Sequence, residues 1–148
     1  MSGSPGHAAP VTPEELLDAA DQLLTSPVPG LGNLWPRACA LLIRLALELT
    51  LDRYWAGVLP EAADCGMRQQ LLLLPLYAGA SSGPVSPDAA PASTPALDAA
   101  SLAREAWLGL AGAAHHHAYE LAPNAAELRD WHTDVSQLVV LLAAPSRD

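Results

Sequence analysis

The densest group of reactive side chains in the 148-residue sequence is the run His115-His116-His117-Ala118-Tyr119-Glu120. On one helix His116 and Glu120 stand four residues apart, so an imidazole and a carboxylate share a face and can hold a metal ion between them. His132 is the nearest third ligand, because a turn about Pro123 brings it within about one helical turn of the height of His115 at 1.5 Å per residue. His115 and His116 point about 100° apart, however, so the three rings converge only if the helix ends early. A second chemistry for the same turn is acid–base: His115 or His116 as the general acid or base of a hydrolytic reaction. The plainer reading is structural. Histidines near a helix C-terminus satisfy orphan carbonyls and suit the helix dipole, which requires neither metal nor cofactor.

The other polar group is spread along a leucine-rich helix. Arg37, Arg44, Glu48 and Asp52 recur at spacings of seven, four and four, which gathers them on one narrow stripe. Arg44 and Glu48 are an i,i+4 pair with the arginine first, the weaker orientation. The stripe reads either as the solvated side of a mostly buried helix or as a polar seam facing a cleft or a second protomer. Arg37, Arg44, Glu48 and, at the histidine turn, Tyr119 are accordingly the candidate interaction surface.

Composition narrows the classes. All seven basic residues are arginines against sixteen carboxylates, for a formal net charge of −9. Gripping nucleic acid over a broad surface needs several phosphate-neutralising cations on one face, so no DNA partner is expected. Charge is uneven along the chain: residues 34–78 carry four arginines and four carboxylates, while residues 1–33 and 97–148 are each net negative by four. Any small anion contact therefore favours the middle segment. The longest apolar stretch, residues 38–51, is interrupted by Arg44 and Glu48, and residues 1–7 lack the cationic and apolar regions of a secretory signal. The expectation is a cytoplasmic protein with no membrane contact. Cys39 and Cys65 have no metal-type spacing; Cys39 reads as a core residue and Cys65, near a turn, as the more accessible one. No phosphate-binding glycine loop, Gly-x-Ser-x-Gly elbow, His-Glu-x-x-His or Glu-x-x-His word occurs.

The elements that must position these residues are helical. Residues 1–11 carry Ser, Gly and Pro without an apolar period and read as a disordered leader. Thr12-Pro13-Glu14-Glu15 then supplies a cap, an N1 proline and a capping-box glutamate for a first helix, which ends at the Ser26-Pro27-Val28-Pro29-Gly30 breaker. A second helix over 34–55 is apolar around most of its circumference and should be central. A third, over 64–77, should kink or end near Pro75. Residues 79–96, rich in Pro, Ser and Ala, read as a flexible insertion. A fourth helix over 97–118 shows an alanine-rich face around Trp107. The fifth opens with the Asn124-x-x-Glu127 box and repeats Leu128, Trp131, Val135, Leu138 and Leu142 at spacings of three and four. No strand pattern competes. The expected fold is all-α, an antiparallel four- to five-helix bundle over residues 12–144.

The long helix from Arg37 to Trp55, the helix from Met67 to Leu76 and the histidine-bearing turn into the last helix together resemble the HEPN superfamily, small all-helical domains of prokaryotic toxin and defence systems. The resemblance is one of helix order and leucine-alanine-glutamate patterning over residues 34–142. It implies a bacterial dimerisation or partner-binding module in a toxin–antitoxin or defence context, or a metal-independent ribonuclease. Ribonuclease members use an Arg followed four to six residues later by His. Here ten residues separate Arg104 from His115, about 16 Å along a helix, and two separate Arg129 from His132. The expected function is thus a non-enzymatic module that binds itself as a homodimer or a protein partner. The alternatives are a ribonuclease, with RNA as substrate, built from His115 or His116 and Arg44 of another helix, and a metal-binding bundle using His116, Glu120 and His132.

Overall fold

The computed structural model describes residues 9–78, 95–114 and 121–143. Every regular element among them is helical: α1 (Pro13–Thr25), a 3-10 segment (Pro29–Leu34), α2 (Trp35–Val58), the single turn α3 (Pro60–Ala63), α4 (Met67–Ala78), α5 (Pro95–Ala114) and α6 (Ala125–Leu141). The all-α expectation holds.

Local signals set the helix starts. At α1 the Thr12 hydroxyl accepts from the Glu15 N–H at 3.1 Å while the Glu15 carboxylate accepts from the Thr12 N–H at 2.9 Å. Asn124 and Glu127 close the same reciprocal pair at α6, both bonds 2.9 Å. Each box satisfies two backbone donors that the first helical turn leaves free. Between α1 and α2 the proline-rich breaker forms a short 3-10 segment. Its kink falls at Gly32, whose φ of 47° is the left-handed backbone that glycine adopts without strain.

Helix α2 touches every other helix and forms the centre of the bundle. Its inner side buries Cys39, Ile43, Leu47, Leu51 and Trp55 completely. Leu17, Ala20 and Leu24 of α1 close on it from one side, and Leu110 of α5 with Leu128, Val135 and Leu138 of α6 complete the core. Ala99, Ala103 and Ala106 give α5 a shallow surface, which lets its neighbours approach closely. The closest approach is at Gly109, where a Cβ would stand within 2.5–2.8 Å of the Trp131 indole. Cys39 fits as expected, with its thiol donating to the Ala20 carbonyl at 3.6 Å and pushed up to about 11, chiefly by burial. Cys65 is exposed.

Helix boundaries differ from the sequence reading at three helices. Helix α2 continues one turn past Trp55 to Val58, and α4 runs through Pro75 to Ala78. Pro75 is exposed, so its ring projects outward and its missing N–H costs one bond on the solvent side. Helix α5 begins at Pro95, which takes the last two residues of the expected 79–96 insertion into the helix. Its described part ends at Ala114; the remainder of the insertion, most of the 1–11 leader and the expected helical residues 115–118 lie outside the described residues.

Candidate functional site

The two polar groups singled out in the sequence fare differently. His115, His116, Tyr119 and Glu120 lie outside the described residues. His132 is described, and its Nε2 donates to the Leu17 carbonyl at 3.0 Å, tying α6 to α1. Ser136 stands behind the ring, with its Oγ 3.5 Å from Nδ1 and donating to the His132 carbonyl at 2.7 Å. With the Nε2 proton on that carbonyl, the ring's lone pair is on Nδ1, beside Ser136, and the ring fastens α6 to α1. Among the described residues no three His, Cys, Asp or Glu side chains are grouped to hold a metal ion.

The Arg44 stripe, in contrast, forms a defined surface. Arg44 Nε donates to Glu48 Oε1 at 2.8 Å, and the guanidinium carbon lies 4.7 Å from the centre of the Trp107 ring on α5. Both side chains of the pair are about one-third exposed, at 28% and 32%. A guanidinium held between a carboxylate and an aromatic face is fixed in orientation and partly neutralised. Asp52 is exposed and accepts from Gln70 Nε2 at 3.2 Å. Arg37 is half-buried in the first turn of α2 and has no carboxylate within 4 Å among the described residues.

Periodicity alone missed the leucines beside this stripe. Leu41 and Leu45 are 51% and 40% exposed, although they sit on the helix that centres the core, and Leu34, immediately before that helix, is 63% exposed. Together with Ala38, Glu48 and Asp52 they follow spacings of four, three, four, three and four, the seam of a helix that packs against another helix. Leu42, one step round the helix, walls an open groove of about 540 Å³ at the end of α1, lined also by Gln22, Leu23, Ser26 and Val28. The outer face of α2 thus combines an apolar ridge, a recess on its α1 side and an oriented ion pair on its α5 side.

One further group lies away from this face, and another adjoins its Asp52 end. Asp134 on α6 has its carboxyl raised above the ordinary range, first by burial and then by Asp130 and Glu105. At the corner of α2, α3 and α4, Gln70 Nε2 binds Asp52 and the carbonyls of Ala63 and Cys65. Beside that corner, Trp55 meets Tyr54 and Tyr77 edge to face, with ring centres 5.1 and 5.4 Å apart. Tyr54 Oη, Trp55 Nε1 and Gln70 Oε1 are buried without a hydrogen-bond partner among the described residues. No family model, curated protein or solved structure matches the chain. No helix among the described residues is long and apolar enough to cross a membrane.

Proposed function

We propose that this chain is a non-enzymatic, HEPN-like helical bundle that works by binding a protein through the outer face of α2, in the cytoplasm of a bacterium and in a toxin–antitoxin or defence setting. The observation that carries the reading is the exposure of Leu41 and Leu45 beside the Arg44–Glu48 pair. Apolar side chains that project from a central helix, flanked by oriented charges, are what a specific protein interface needs at its middle and its rim. The charges on that face balance, two arginines against Glu48 and Asp52, which suits a protein partner better than a polyanion.

The ribonuclease alternative draws no support from Arg44, because Glu48 and Trp107 already engage its guanidinium. The test is direct: the full chain incubated with single-stranded RNA in chelator-containing buffer leaves the RNA intact. Cleavage that disappears in His115→Ala or His116→Ala overturns the non-enzymatic reading.

A further inference from the structure

The outer face of α2 carries its own complement. With a rise of 1.5 Å per residue, an antiparallel copy of the helix turned about a two-fold axis at Ile43 sets Leu41 opposite Leu45 at the same height. The same operation brings Arg37 to within about 1.5 Å of the height of Glu48 and about 4.5 Å of Asp52. Among the described residues Arg37 has no carboxylate within 4 Å, and Asp52, which accepts from Gln70, has no cation within 4 Å. At 100° per residue Arg37 and Glu48 fall on the same edge of the seam, and a two-fold axis keeps that edge on one side in both copies. Leu45 leans to the other edge, toward the recess beside Leu42, so each ridge meets its partner's groove.

We propose, building on the partner-binding reading, that this face pairs with the same face of a second copy of the chain, antiparallel about Ile43, with Leu41 against Leu45 and Arg37 between Glu48 and Asp52. The interface is isologous: every contact occurs twice. Another exposed leucine pair, Leu72 and Leu76 on α4, lacks this property, because Arg68 is the only charge on that helix and nothing there answers it.

The experiment is sedimentation equilibrium of the full chain across the micromolar range. Wild type gives the mass of a dimer, and Leu45→Glu gives the mass of a monomer with unchanged helical circular dichroism. Arg37→Glu and Glu48→Arg each weaken self-association about tenfold or more, since each places like charges together twice across the axis. Mixed one to one they associate again, because both cross-axis contacts then join opposite charges. A chain that stays monomeric throughout, a dimer indifferent to Leu45→Glu, or mixed variants that fail to associate each overturn the self-pairing. The RNA assay fails independently: a monomer that cleaves no RNA removes the second copy as occupant and leaves the partner-binding reading standing.

Discussion

The two sides of α2 are built from the same residue type and do opposite things. On the inner side Leu47 and Leu51 are fully buried with Ile43 and Trp55; on the outer side Leu41 and Leu45 are 51% and 40% exposed. Inside, each leucine has neighbours from several helices. Outside, α1 and α5 flank the helix but do not cover it, and Arg44 reaches across to Trp107 along one margin only. Leucine content therefore does not measure burial on this helix. A burial map follows from what packs around the helix, and two of its leucine-bearing faces are alike in composition.

The strongest way to break that contrast is to truncate one residue on each side. Trp55→Ala empties a site with no exposure, and by the usual cost of large-to-small core changes it lowers the unfolding free energy by about 3–5 kcal/mol. Leu41→Ala removes an exposed side chain and stays within about 0.5 kcal/mol when measured below the concentration of any self-association. Urea unfolding followed by circular dichroism reads both. Equal losses at the two positions would mean that the outer face is packed in solution.

How much of this was visible in the sequence depends on the range of the interaction. Both capping boxes join residues three apart, so their residue types alone located them correctly. The Arg44–Glu48 pair and the core positions of α6 are local in the same sense, fixed by the period of one helix. The Arg44–Trp107 stacking and the His132–Leu17 bond join residues 63 and 115 apart, and nothing near either residue announces its partner. The exposure of Leu41 and Leu45 was illegible for a related reason. With leucine or alanine on nearly every side of α2, no pattern marks which side the neighbouring helices leave open.

A second pairing that only the fold creates is the approach of α5 to α6 at Gly109. A methyl group there would overlap the Trp131 ring, which is partly buried against the core. Gly109→Ala therefore loses about 1–3 kcal/mol by overpacking, despite the better helix propensity of alanine. At Gly112, on the same helix, a Cβ meets nothing within 4 Å. Gly112→Ala is the matched control and gains stability through propensity alone. A gain at both positions would show that Trp131 yields freely.

The smallest effect expected is electrostatic and tests whether the acidic surface opposes the fold. Burial raises the Asp134 carboxyl, and Asp130 and Glu105 raise it further. A carboxyl raised in the folded state is held by the fold more readily protonated than ionised. Its contribution to stability is therefore fully present below the ordinary carboxylate range near pH 4 and is lost as the pH rises through the raised folded value. At pH 7 the ionised group opposes folding. Asp134→Asn removes that opposition, so the variant melts higher than wild type at pH 7, by an amount within the roughly 0.5 kcal/mol typical of surface changes. The gain shrinks in 1 M salt, where screening weakens repulsion between partly exposed charges, and vanishes at pH 3, where aspartic acid is as neutral as asparagine. A gain that persists unchanged at pH 3 would assign the effect to packing or hydrogen bonding by the amide, and the repulsion between α5 and α6 would then have no measurable part in the stability of the bundle.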